Sequence, residues 1–257
     1  MYSEVAMADF KDKVALVTGG ARDIGRAVSI QLAAQGASVA VNYFDNAADA
    51  EWTVNAIRSA GGKAVAIQAD VSRSADVQRL VAETRNAFGE QIHLLVNVAG
   101  GLVGRKKIEE MDEIFWDGVI ALNLKSVFLV TKAVLPYMND GGAIVNFASQ
   151  AARDGGGMGA IAYSSAKGGV LTFTRGLAKE LGPRKIRVNC VSPGMINTTF
   201  HNTFTKPEVR QKVAASTPLN REGEAHEVAD LVVYLASDNA SFVNGASVEI
   251  NGGTYFV

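Results

Sequence analysis

A chain of 257 residues, 48% of them hydrophobic, can bury one large core, so a single domain is expected. Its net charge of -1, from 25 basic and 26 acidic residues without long blocks of one sign, gives no basis for a nucleic-acid or anionic-membrane partner. The single cysteine, Cys190, excludes an intrachain disulfide and fits a reducing, cytoplasmic setting, and the longest apolar runs are strand-sized rather than the roughly 20 residues of a membrane span.

The first segment, "MYSEVAMADF" (1–10), carries acids and no long apolar stretch. It reads as a loose arm and not a secretory signal, with Met7 as an alternative start, and the folded domain is expected over 11–257. "KVALVTG" is a buried-strand run, followed by an amphipathic helix over Ile24–Gln35 that stops at Gly36. "ASVAVNY" is a second strand, with a helix over Ala47–Ala60 closed by Gly61 and Gly62. "KAVAIQAD" is a third strand before a helix over Ala75–Phe88, and "IHLLVNVAG" a fourth before a long helix over Met111–Met138, interrupted once. "GAIVNFAS" is a fifth strand; a helix over Ala162–Leu181 leads to "IRVNCVSPG", a sixth. A helix over Glu224–Ser237 and a short strand "ASVEING" end the pattern, and "RDGGGMGAIA" is a glycine-dense loop between the fifth strand and its helix. Strands joined by helices of this length need crossovers, which predicts an α/β fold: one Rossmann-type, doubly wound, mostly parallel sheet with helices on both faces. Its ligand crevice lies outside the carboxyl ends of the strands.

The stretch "TGGARDIGRA" joins the first strand to the first helix. A strand, a glycine-rich turn and a helix N-terminus make an anion site, because backbone N–H groups and the helix dipole both favour phosphate. Asp23 stands in that turn. Facing a pyrophosphate directly it would repel it. Just before a helical run, however, aspartate is a favoured N-cap, and the expectation is that Asp23 caps the helix while the remaining N–H groups hold the phosphates.

"TGGARDIG", "NVAG", Asn123, Ser149, "YSSAK" and "SPG" occur in order, and on them the chain resembles the short-chain dehydrogenase/reductase family from Lys11 to Val257. It departs from the family pattern twice: Asp23 replaces the middle glycine of T-G-x-x-x-G-x-G, and Val98 replaces the second asparagine of N-N-A-G. Tyr163 and Lys167 are four residues apart and share one helix face. An ammonium beside the phenol is expected to lower its pKa toward working pH, so that Tyr163 exchanges a proton with a substrate oxygen that Ser149 orients. The resemblance implies that Lys167 also contacts the nicotinamide ribose and that Asn123 holds a water linking Lys167 to solvent. It implies further that Gly19, Arg22, Asp23, Ile24, Tyr43, Asn97, Ala99 and Gly100 line the dinucleotide. Asp70 and Val71 then border the adenine. Pro193 and Gly194 turn the chain so that Ile196 and Thr198, helped by Asn197, meet the carboxamide. A homotetramer is implied as well.

An NAD site usually ends its second strand with an acid for the ribose 2′-hydroxyl. Here the strand ends "VNYF", with Asp45 two residues past Tyr43, while Arg22 can pair with a 2′-phosphate. NADP(H) is therefore favoured over NAD(H), and Asp45 folding back would reverse this. The substrate is a small molecule that the family alone does not fix. Gly101 and Arg105 in "AGGLVGRKK", with Arg153 and His201, can admit and clamp an acid across a substrate loop over about 195–218. "GGLVGRK", "GGGMGA" and "TTFH" look like the reductases that convert 4-deoxy-hexoseulose uronate to 2-keto-3-deoxygluconate in alginate breakdown. The general pattern is equally similar to 3-oxoacyl-carrier-protein reductases, for which the same cations would meet an acidic carrier. Arg105, Lys106 and Lys107 can also be a solvated helix start or a subunit contact. A more distant alternative is a dinucleotide sensor that does not catalyse. His93 and His226 suit surface or capping roles, Cys190 suits a buried strand, and no His/Cys/carboxylate cluster has metal-ligand spacing.

Overall fold

A computed structural model describes residues 8–257; Met1–Met7 of the expected arm lie outside the described residues. Seven strands form one sheet: β1 (Val14–Thr18), β2 (Ser38–Tyr43), β3 (Lys63–Gln68), β4 (Ile92–Asn97), β5 (Met138–Phe147), β6 (Arg187–Pro193) and β7 (Ser247–Ile250). Their order is β3-β2-β1-β4-β5-β6-β7, and every neighbouring pair is parallel. Central strands of such a sheet are covered on both faces, which is why β1 reads "VALVT" and buries every residue.

Helices α1 (Asp23–Ala34), α2 (Ala47–Ser59) and α10 (Ala225–Ala236) pack on one face, with Val28, Leu32, Val54, Ile57, Val228 and Val232 in the core. Helices α3 (Ser74–Phe88), α5 (Ser126–Val134) and α7 (Ile161–Leu181) pack on the other through residues such as Leu80, Val130 and Leu177. Each fully buried Leu, Ile or Val contributes about 1.5–3 kcal/mol of apolar transfer. The long fourth-crossover helix is interrupted as expected: α4 (Glu113–Ile120) passes through a π-helical turn, Ala121–Lys125, into α5. Three short helices were not legible: α6 (Ala151–Asp154), α8 (Thr199–Phe204) and α9 (Pro207–Ser216).

One expectation is corrected here. Phe10, placed in the loose arm, is 3% exposed in the core, and its N–H donates to Gln35 O at 2.8 Å, so the folded domain begins before Lys11. The helical run Glu113–Tyr137 is by length and composition apolar enough to cross a membrane, its most apolar 18-residue window having mean hydropathy 1.6, but Asp117, Asn123, Lys125 and Lys132 divide it into short apolar stretches. Within the fold this run carries the π-turn and part of the core.

At β1 the strand order reverses, since β2 lies on one side and β4 on the other. The carboxyl ends of β1 and β4 therefore open a crevice, with Thr18 paired to Asn97 in register.

Candidate active site

The turn after β1 needs its glycines. Gly19 has φ +62°, and a Cβ on Gly25 would lie 2.0 Å from Gly19 O, so the turn closes against α1 only with glycine there. Gly19 N–H donates to Asn42 Oδ1 at 3.1 Å, and Ala99 N–H donates to Thr18 Oγ1 at 3.2 Å. Asn42 and Thr18 are both buried and were not singled out from the sequence. Their signal was a polar residue inside an apolar strand run.

Asp23 is not the N-cap. It is the first residue of α1, at φ +51°; Arg22 precedes the helix, and no side chain caps it. The Asp23 carboxylate instead reaches the start of α8: Thr199 N–H donates to Oδ1 at 3.0 Å, and the Thr199 hydroxyl donates to Oδ2. The N–H groups at the start of α1 thus keep their capacity for an anion. The tight glycine turn, the uncapped helix start and a parallel sheet reversing at β1 fit a dinucleotide pyrophosphate.

On the opposite wall, Tyr163 and Lys167 lie on α7, and Ser149 lies just beyond β5, its Oγ accepting from Ala151 N–H at 3.2 Å. Ser149 lies close enough to the Tyr163 phenol to bear on its pKa. Burial pushes the phenol up from its ordinary value, a shift only partly offset by Ser149. The expected lowering by Lys167 is therefore corrected. The Lys167 Nζ lies 5.7 Å from the Tyr163 ring centroid and donates to Phe147 O at 2.7 Å, and burial pushes the ammonium down to about 8. Asn123, at the π-turn, is committed to the loop after β4: its Oδ1 accepts from Gly101 N–H at 2.9 Å, and its Nδ2 donates to Gly101 O at 2.8 Å and Val119 O at 2.9 Å. Gly100 is where these groups crowd, since a Cβ there would lie 2.8 Å from Asn123 Oδ1 and 3.1 Å from Lys167 Nζ. Asn123, Ser149, Tyr163 and Lys167 are thus brought together. Gly101, expected to face substrate, has both backbone polar groups held by Asn123.

Several of the expected contact residues have partners within the protein. Asn97 is buried in the sheet, and its Nδ2 donates to Asn146 Oδ1 at 2.9 Å, which removes its side chain from the dinucleotide crevice. Asp70 closes a local turn, accepting from Ser72 N–H at 2.9 Å and Ser72 Oγ at 2.6 Å, and Val71 is a core residue. Arg153 pairs with Glu249 of β7 at 3.3 Å. Arg105 is a strut: its Nη1 donates to Met158 O at 3.0 Å and its Nε to Phe204 O at 3.3 Å. Lys106 pairs with Asp112 at 3.2 Å and Lys107 with Glu109 at 3.9 Å, so this cation cluster is largely structural. His93 is structural as well: its Nδ1 accepts from Val14 N–H at 3.0 Å.

Past β6, Gly194 N–H donates to Ile250 O at 3.0 Å; Ile196 and Thr198 are buried, with Thr198 Oγ1 donating to Ile196 O at 3.1 Å. Helix α8 then lays an aromatic cluster against the Tyr163 phenol. The Phe200 ring is 6.0 Å from that of Tyr163, 5.0 Å from His201 and 5.3 Å from Phe204. His201 Nδ1 meets Thr205 Oγ1 at 3.0 Å, and burial, with the nearby cations Arg210 and Arg105, pushes its imidazole down. Phe200 is the site residue sequence reasoning missed. At the cofactor end, the Arg22 side chain is 60% exposed, 3.8 Å from Asp23, and Tyr43, Phe44 and Asp45 lie at the tip of β2.

A family model described as enoyl-(acyl carrier protein) reductase matches residues 19–255. The chain is 41% identical over 256 residues to a (3R)-3-hydroxyacyl-CoA dehydrogenase of Mus musculus, covering 95% of this chain and 97% of that one. It is 38% identical over 246 residues to a 3-oxoacyl-[acyl-carrier-protein] reductase of Staphylococcus epidermidis, covering 95% and 99%. Among solved structures, a blue fluorescent protein from a metagenomic library, in complex with NADPH, superposes with TM-score 0.90 at 33% identity, covering 96% of this chain and 100% of that one. An NADH-dependent reductase responsible for alginate metabolism superposes with TM-score 0.87 at 33% identity, covering 96% and 99%. The chain belongs to the short-chain dehydrogenase/reductase family, and it is an NAD(P)-dependent oxidoreductase.

Proposed function

We propose that this oxidoreductase reduces a carbonyl with an apolar flank, of the 3-oxoacyl thioester class, with NADPH. The observation that carries this reading is the α8 wall, which sets Phe200 and Phe204 beside Tyr163, while Arg105 and Arg153 are spent on Met158, Phe204 and Glu249. An aromatic wall favours an acyl chain over a polyhydroxylated acid, whose hydroxyls would lose water without partners against it. When bound, the nicotinamide supplies the hydride that the carbonyl carbon receives. Tyr163, kept protonated by its burial, gives its proton to the carbonyl oxygen, and Ser149 orients that oxygen. Lys167 offers the positive charge that steadies the phenolate left behind. The intact trio also speaks against a non-catalytic sensor.

A second reading, reduction of a small acidic keto or aldehydo sugar such as 4-deoxy-hexoseulose uronate, draws on the likeness to the alginate reductase. NADPH is favoured by Arg22, which is exposed beside the turn, and by β2 ending in Tyr43, with its nearest following acid, Asp45, two residues past the strand. A homotetramer accords with exposed Ile114 and Phe128 on α4 and α5, and light scattering of the full chain tests it. The deciding experiment measures turnover of acetoacetyl thioester and of the uronate, each with NADPH and NADH. Thioester turnover above uronate turnover is expected; uronate turnover alone overturns the substrate reading.

A further inference from the structure

Asp23 holds φ +51°, a left-handed backbone that glycine adopts freely and aspartate tolerates. It places a carboxylate on the first turn of the helix whose N–H groups suit an anion. Both carboxylate oxygens are taken by Thr199, one by its N–H at 3.0 Å and one by its hydroxyl. Thr199 opens α8, the helix that carries Phe200 against Tyr163. The far part of this lid is fastened separately. Arg210 of α9 pairs with Glu222 and donates to Asn202 and, at 2.5 Å, to Asn197 Oδ1. Arg105 Nε also donates to Phe204 O at the end of α8, and of these fastenings only the one at Asp23 joins the lid to the glycine turn.

We propose that Asp23 is a positioning residue: a latch that ties the substrate lid to the dinucleotide turn and, by giving both oxygens to Thr199, turns its charge away from the phosphates. The latch holds Phe200 in place over the phenol. The Thr199 hydrogen bonds orient, and with the Arg22 guanidinium 3.8 Å from Oδ2 partly screen, an acid that would otherwise repel a pyrophosphate. The second point rests on the dinucleotide reading; the first does not.

The test measures two things on the full chain: amide hydrogen exchange without ligand, and NADPH affinity by fluorescence titration. The variants are Asp23→Gly, Asp23→Asn, Thr199→Val and the Asp23→Gly/Thr199→Val pair. Glycine suits φ +51°, so Asp23→Gly folds. In it, exchange across 199–204 is expected to rise about tenfold, the loss of charge-assisted hydrogen bonds, with NADPH Kd unchanged or lower. Asp23→Asn keeps an acceptor for the Thr199 N–H, so its exchange stays within about threefold of wild type. Thr199→Val leaves one carboxylate oxygen without its hydroxyl partner, and NADPH Kd rises about threefold to tenfold. The double variant returns Kd to the Asp23→Gly value. Unchanged exchange in Asp23→Gly overturns the latch. Weaker NADPH binding in Asp23→Gly makes the carboxylate part of the cofactor site and also overturns it. Wild-type affinity in Thr199→Val overturns the shielding. If wild type binds neither NADPH nor NADH, the dinucleotide reading fails, and the exchange measurement still decides the latch.

Discussion

Replacing Lys167 by methionine should destroy the enzyme and stabilise the protein. Lys167 is 4% exposed, and its side chain has one hydrogen bond, to Phe147 O at 2.7 Å. Burial pushes its ammonium from 10.5 down to about 8. A displacement of that size corresponds to roughly 3 kcal/mol between protonation states. Between about pH 8 and 10.5 the unfolded chain holds the lysine proton and the native chain has released it. The unfolded state therefore binds more protons, so stability rises with pH across this window and is lowest below it. At pH 7 the native protein carries the full cost of a buried ammonium. Methionine of similar length removes that cost and leaves Phe147 O without its partner, which returns about 1 kcal/mol. The net expectation is about 2 kcal/mol of added stability at pH 7, a rise of about 5 °C in Tm for a chain of this size. The rise should be small at pH 10. The assay is thermal unfolding of ligand-free wild type and Lys167→Met from pH 6.5 to 10. A variant less stable at pH 7, or one that keeps the wild-type dependence between pH 8 and 10, refutes the reasoning.

Tyr163→Phe should lower kcat by about two to four orders of magnitude with NADPH affinity unchanged, since only the proton is removed; steady-state kinetics beside fluorescence titration check this. Gly25→Ala should abolish dinucleotide binding, because its Cβ would sit 2.0 Å from Gly19 O; calorimetric titration of the folded variant reads it. Arg22→Ala should raise the KM for NADPH about tenfold and leave that for NADH nearly unchanged, and equal effects on both would assign Arg22 to the pyrophosphate or to no contact.

The strands were legible because a parallel sheet covered on both faces demands unbroken apolar runs, and "KVALVTG" is one. Tyr163 and Lys167 were legible because four residues of helix place them together whatever else the chain does. What was hidden depended on partners far along the chain. Asp23 looked like a cap because capping is the only partner a local reading offers, yet its partner Thr199 is 176 residues away. Arg153 looked like a substrate clamp until the sheet brought Glu249, 96 residues on, against it. The lid was hidden for another reason: α8 has six residues and α9 buries none fully, so neither carries the amphipathic period that marks a helix.

The failed cap is also what preserves the anion site. Had Asp23 capped α1, its oxygens would have taken N–H groups from the helix start, and a carboxylate would have stood where the phosphates are held. With Arg22 in the preceding position and no side chain capping the helix, those donors remain available. The carboxylate is instead hydrogen-bonded to Thr199 at the start of α8. The substitution of aspartate for glycine therefore bears less on whether a dinucleotide binds than on how firmly Phe200 is held over Tyr163. By the latch proposed above the cofactor turn and the substrate wall move together, and variation at residue 23 should change what the site accepts before it changes whether the site works.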